Sequence, residues 1–354
     1  MSILSKEEAK QILEKALKYS KAENCIVTIN GSNSGNVRYA RNTITTSGMR
    51  STLTLGVQSS FGKKTGTTTI TEFDDKSLEK VIRRSEELAK LSPENPEYMP
   101  PMGPQQYKDS PTFVKSTADI TPEYRAKVAF DSIEPAAKKD VTAAGFLNDS
   151  AGFNAMMNSK GLFAYNQSTN VNFSVTMRTN DGTGSGWVTR DYNDVNKFNS
   201  ARASQIALDK SLLSRKPKAI EPGKYTVILE PVAAGALIGN MIGNMGARQA
   251  DEGRSFLSKK GGGNKLGEKL VDERITIYTD PWNTEVPAGT WDGNGLPVQK
   301  RTWIEKGVVK NMFYSRYWAK KTGKEYTSGP SNGIMLGGDA TTEELIKSIQ
   351  SKSS

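Results

Sequence analysis

Residues 223–256 read GKYTVILEPVAAGALIGNMIGNMGARQADEGRSF, and this stretch constrains the fold more than any other. The run at 225–229 is strand-like. Glu230-Pro231 ends it, and proline is favoured at a first helical position. A helix-like segment then runs to about residue 247, with Gly235, Gly239 and Gly243 recurring every four residues. Each glycine inside a helix costs about 1 kcal/mol relative to alanine. Three on one stripe imply a compensating need, and close packing against another backbone is the simplest. Leu237, Ile238, Met241, Ile242 and Met245 fill the adjoining face. The expectation is a tightly packed core helix whose polar positions are Asn240 and Asn244.

The chain contains no histidine. That removes Ser-His-Asp triads, Cys-His pairs and His-Glu-x-x-His zinc sites. A strand followed by such a helix is the frame of a metallopeptidase site, and that chemistry needs imidazoles to hold the ion and a carboxylate to take a proton from bound water. Asn240 and Asn244 are amides and do neither well. Any chemistry falls to Asp, Glu, Lys, Tyr, Ser or backbone groups, or to a partner.

Hydrophobic content of 36% and charged content of 24% over 354 residues suit a globular protein with a sizeable core. No apolar run is long enough to span a bilayer. The first twenty residues carry charge throughout, unlike a signal peptide, and read as an amphipathic helix with a Ser5/Glu8 capping box. The single Cys25 argues against a disulfide framework. Together these features predict a cytosolic protein. The net charge of +10 raises the question of nucleic acid, but Lys and Arg are scattered and no aromatic-basic repeat offers a stacking surface. Nucleic acid is therefore not expected as the main partner.

Three segments are expected. Residues 1–99 read as a helix, strands at 25–29, 36–39, 43–46 and 51–58 punctuated by Gly31, Gly35, Gly48 and Gly62, then a helix at 78–91. The proline-dense 92–111 forms a boundary. Residues 111–216 read as a helix near 122–138, strands at 141–147, 152–158, 162–174 and 174–178, and a helix near 199–214. Residues 222–354 carry the glycine-rich helix, strands at 275–279, 301–305 and 308–314, and a helix at 341–349. Strands and helices mix without regular alternation, so the fold class is α+β. Its N-terminal segments are helix plus strand meander, and its C-terminal domain is mainly antiparallel around the Gly-rich helix.

Other motif fragments lead nowhere. Gly62-Lys63-Lys64-Thr65 echoes a phosphate loop, but the spacing from Gly56 is one residue too long and Lys64 stands where Ser or Thr is needed. It reads as a hairpin turn. Ser77-Leu-Glu-Lys80 and Lys321-Thr322-Gly323 echo two motifs of penicillin-binding enzymes, but the third is missing, and Ser77 after Asp74-Asp75 is ordinary capping. No cofactor is called for.

The sequence resembles the TldD/PmbA family, known as modulators of DNA gyrase and as metallopeptidases. RYARNTIT at 38–45 looks like its N-terminal segment. Asn158-Ser159-Lys160-Gly161, Asp181-Gly182 and Gly184-Ser185-Gly186 look like its middle segment. Residues 222–234, Ser255-Phe256-Leu257, Lys265-Leu266-Gly267-Glu268, 292–297 and 304–308 follow in the family's order. Its catalytic branch carries a His-Glu-x-x-x-His motif, and the positions here are Gly239, Asn240 and Asn244. Residues five apart on a helix point about 140° away from each other, so the segment must bend or end there. The pattern resembles the PmbA (TldE) branch, which lacks the metal motif and pairs with a TldD subunit to act on peptides, leader peptides included.

The resemblance thus implies a metal-free, non-catalytic subunit that dimerises with a TldD-type paralogue or with itself, and a substrate that is an unfolded or leader peptide. Two other readings stand beside it: a DNA-associated gyrase modulator and an active hydrolase without zinc. Candidate cleft residues are Asn240, Asn244, Arg248 and Arg254, with Gly261, Gly262 and Gly263 as a flap. Family members continue into further strands beyond the helix matched by 341–349, where a further metal ligand lies, and this sequence stops at Ser354.

Overall fold

A computed structural model describes residues 3–350 of the chain. Two compact units emerge. One takes the chain up to Pro217 together with Trp282–Pro297, and the other takes Lys218–Pro281 and the chain from Val298 onward.

In the first unit, α1 (Lys6–Lys18) starts with the expected capping box: Ser5 Oγ accepts from the Glu8 N–H, and the Glu8 carboxylate accepts from the Ser5 N–H at 2.7 Å. Then come β1 (Asn24–Ala40), β2 (Thr43–Phe61), β3 (Lys64–Ile70) and α2 (Asp75–Leu91), followed by α3 (Lys115–Ala118), α4 (Pro122–Ala137), β4 (Val141–Asn158), β5 (Phe163–Thr179), β6 (Ser185–Tyr192) and α5 (Ser200–Leu213). One antiparallel sheet runs in the order β3-β2-β1-β4-β5-β6. The segments on either side of the proline-dense 92–111 therefore share this sheet through β1 and β4.

At about 3.3 Å per residue, β1 is about 55 Å long. Its length lets one sheet face carry two cores. Cys25, Val27 and Ile29 face α1 and α2, with Leu13, Leu78 and Ile82. Val37 and Tyr39, of the same parity, join Val128, Leu147 and Phe173 under α4 and α5.

Gly31, Gly35 and Gly48 are not turns; they lie inside β1 and β2, and only Gly62 turns the chain, at φ +55°. For Gly31 and Gly35 the reason is packing. A Cβ at Gly31 would strike the Phe153 ring, and one at Gly35 would strike the Arg125 guanidinium. Arg125 is buried there with Asp149, joined by Nε–Oδ2 at 2.6 Å and Nη2–Oδ1 at 2.8 Å. The strand breaks expected within 141–158 and 162–178 are likewise absent.

The second unit holds α6 (Pro231–Gly243), α7 (Ala247–Asp251), β7 (Ile277–Thr279), β8 (Arg301–Glu305), β9 (Val308–Val309), α8 (Arg316–Thr322), β10 (Ile334–Met335) and α9 (Thr342–Gln350). Its sheet is antiparallel, in the order β10-β7-β8-β9. Trp303, Ile304, Ile277, Val309, Met245 and Leu257 form the core. The Trp303 indole N–H donates to Thr279 Oγ1 at 2.9 Å, and that of Trp318 to Asp251 Oδ2 at 2.8 Å. No helix among the described residues is long and apolar enough to cross a membrane.

The chain is an α+β protein with antiparallel sheets. Three finer expectations need correction. Residues 225–229 are not a strand: Tyr225 is 56% exposed and Val227 69%, and among the described residues no backbone group pairs with them. Strand propensity there lacks the lateral partner a strand requires. The three helix glycines are not packed, because a Cβ built on Gly235, Gly239 or Gly243 meets nothing within 4 Å. And α6 lies beside the unit's core rather than inside it; Ile242 is buried, Ile238 and Met241 partly so, while Leu237 is 62% exposed. The segment, expected to run to about residue 247 and to bend or end between 239 and 244, ends: the helix stops at Gly243 and Asn244 caps it.

Candidate functional site

The end of α6 and the turn after α7 enclose a cavity of about 390 Å³ lined by Leu237, Asn240, Met241, Asn244, Gln249, Arg254, Ser255 and Phe256. The first four fall at i, i+3, i+4 and i+7, one stripe of the helix. Proline at the first helical position starts α6, and the chain turns at Asn244. Asn244 Nδ2 donates to the Asn240 carbonyl at 2.8 Å, satisfying an end-of-helix acceptor. It also lies 3.3 Å from Asn240 Oδ1, so the two amides form a pair on the cavity wall.

Arg254 reaches the cavity through a tight turn. Gly253 takes φ +77°, and the Arg254 N–H donates to the Gln249 carbonyl at 2.7 Å. Its guanidinium holds the Glu252 carboxylate, which also accepts from Arg248 Nε at 3.0 Å. Those two partners, Arg254 foremost, keep the Glu252 carboxyl below its ordinary range. Glu252 is thus ionised at neutral pH and offsets part of the positive charge at the rim.

Of the residues singled out by sequence, Asn240, Asn244 and Arg254 meet at this cavity. Arg248 does not line it; its guanidinium lies over the rings of Tyr317 at 5.8 Å and Trp318 at 5.5 Å. Gly261, Gly262 and Gly263 also stand outside the lining. They form a tight turn with φ of +92°, +110° and +80°, closed by the Lys259 N–H donating to the Gly263 carbonyl at 3.1 Å. Positive φ at three successive residues explains the glycines without any flap. Gln249, Ser255, Phe256, Leu237 and Met241 were not singled out as site residues. Helical spacing from Asn240 and Asn244 was a signal for the last two.

Chemically, the cavity offers amide donors and acceptors, one guanidinium, one hydroxyl and three apolar walls. This suits an extended peptide, whose backbone takes amide hydrogen bonds and whose side chains take apolar contact.

Comparison with known proteins gives two family matches. The PmbA/TldA metallopeptidase C-terminal domain matches residues 222–352, and the PmbA/TldA metallopeptidase central domain matches 116–214. An uncharacterized protein of Methanocaldococcus jannaschii is 27% identical over 65% of this chain and 54% of its own length. A metalloprotease of Methanothermobacter thermautotrophicus is 24% identical over 57% of this chain and 48% of its own. The chain therefore spans about half the length of these relatives.

Among solved structures, a candidate modulator of a DNA gyrase from Thermotoga maritima superposes with a TM-score of 0.85 at 19% identity, over 96% of this chain and 80% of that one. TldE from Thermococcus kodakarensis gives 0.80 at 18%, over 95% and 79%. At such identity these likenesses establish the fold.

A metallopeptidase description implies a metal, and the residues present do not fit one. Gly239 has no side chain, Asn240 and Asn244 present amides, and no group of three or more His, Cys, Asp or Glu that could hold an ion occurs among the described residues. No step can be routed through a metal here.

Proposed function

The chain belongs to the TldD/PmbA family, and on that premise we propose that it is a metal-free, non-catalytic subunit that pairs with a metal-bearing paralogue in peptide proteolysis or leader-peptide processing. One observation carries the reading. The three positions of the family's metal motif are Gly239, Asn240 and Asn244, and both amides line a cavity whose walls include no carboxylate or imidazole. A site of this kind can hold a peptide but has no group to activate water.

The division of labour follows from chemistry. Asn240, Asn244 and Gln249 hydrogen-bond a peptide backbone, Arg254 takes a carboxylate, and Leu237, Met241 and Phe256 take apolar side chains. The partner supplies the ion and its bound water.

The test is co-expression with a histidine-bearing paralogue, followed by size-exclusion chromatography and cleavage assays on an unfolded peptide with and without chelator. The pure chain should be inactive. The pair should co-elute and cleave, and chelator should abolish cleavage. Asn240→Ala or Arg254→Ala in this chain should raise KM about tenfold with kcat little changed, the mark of lost uniform binding. A chain that stays monomeric and leaves the paralogue's activity untouched refutes pairing. Chelator-insensitive cleavage by the chain alone would favour an active non-zinc hydrolase. Tight, sequence-specific DNA binding near physiological salt would favour a DNA-associated role.

A further inference from the structure

A second cavity, of about 250 Å³, lies in the first unit between β6 and the start of α5. Arg190 and Tyr192 reach it from β6, Lys197 and Asn199 from the intervening turn, and Arg202, Ala203 and Ile206 from α5. Positions 202, 203 and 206 share one face of α5, and Asn199 caps its start. Three cations thus share one small concavity.

The acidic groups around it are already engaged. Glu285 accepts from Lys197 Nζ at 3.0 Å. Asp194 accepts from the Asn196 N–H, and Asp191 is held by Asn170 and Asn172 at 2.6 and 2.9 Å. Asp131 takes Lys127 and Ser200. The two arginines are left over. Arg190 donates only to the neighbouring Thr189 carbonyl, and the Arg202 guanidinium has no partner among the described residues. Two guanidiniums without carboxylates, converging on a cavity, are an oxyanion receptor in chemical terms.

We propose that the β6–α5 corner binds a small molecule through its phosphate group. A carboxylate saturates one bidentate arginine. A phosphate can accept from Arg190 and Arg202 together, beside Lys197, which Glu285 and the Thr284 carbonyl hold in place, while Tyr192 and Ile206 wall the organic remainder. The volume lies just below the about 300–1,000 Å³ of drug-sized ligand sites, which suits a phosphomonoester rather than a nucleic-acid strand. This site is independent of the peptide cavity and of any pairing.

The probe is inorganic phosphate, titrated at low ionic strength in a buffer free of oxyanions. Calorimetry and the methyl resonance of Ile206 provide two readouts. Ribose 5-phosphate and a single-stranded oligonucleotide serve as alternative phosphate sources.

Saturable binding that shifts Ile206, and that falls about tenfold in Arg202→Gln and in Arg190→Gln, is expected. Ribose 5-phosphate should compete with inorganic phosphate. Arg202 is exposed, so its variant should fold as the parent does even if Arg190→Gln does not. Lys138→Gln, a charge change elsewhere in the unit, should leave affinity unchanged.

No saturable Ile206 shift, equal affinity in Arg202→Gln, or an equal loss in Lys138→Gln would each overturn the proposal. So would binding of the oligonucleotide alone, with inorganic phosphate unable to displace it.

Discussion

Replacing Gly235 and Gly239 with alanine should stabilise α6. Both sit inside the helix, neither has a positive φ, and a Cβ at either position meets nothing within 4 Å. The substitution therefore removes unfolded-state entropy at no steric cost, worth about 0.4–1 kcal/mol per site. The pair should gain about 1–2 kcal/mol. For a unit of this size that is a rise in Tm of about 4–8 °C. Hydrogen exchange of α6 peptides, read by mass spectrometry on the full chain, should slow by about 5- to 30-fold. Faster exchange or a lower Tm in the isolated chain would refute the reasoning, because it would mean that the glycines pack against something in the chain itself. The same variant also separates two causes of the glycine stripe. If the stripe exists for a partner, the stabilised chain should pair less well with the paralogue.

Other expectations are more direct. Asp149→Ala leaves the Arg125 charge buried and unpaired, and should cost about 3–5 kcal/mol in urea unfolding; Arg125→Met/Asp149→Leu should recover most of it. Cys25 is buried in the core, and burial pushes its thiol up. Native protein should therefore resist thiol reagents. A raised thiol contributes stability that is complete below the unfolded value, about pH 8.5, and is lost as pH rises toward the folded one. Cys25→Ala should flatten that alkaline decline in an unfolding series.

Local chemistry was legible in the sequence. The Ser5/Glu8 box, the Gly62 hairpin and the Asp74 cap all depend on residues within a few positions of one another. The missing imidazoles are a matter of composition, so the loss of the metal motif needed no fold to be seen. Asn240 and Asn244 could be named in advance as the polar positions of an apolar helix, Arg254 as a nearby guanidinium, and helical spacing would have added Leu237 and Met241.

Tertiary structure decided the rest. A glycine in a strand and a glycine in a turn look the same in sequence; Gly31 and Gly35 belong to β1 because Phe153 and Arg125, far away in sequence, occupy the space their side chains would fill. The run at 225–229 has every local mark of a strand, yet a strand exists only with a neighbour, and among the described residues none pairs with it. Arg248 looked like a cleft residue until Glu252 and the rings of Tyr317 and Trp318 claimed its guanidinium. Propensity and capping are settled within a few residues, whereas burial and partnership are settled by groups far apart in sequence, which only the folded chain brings together.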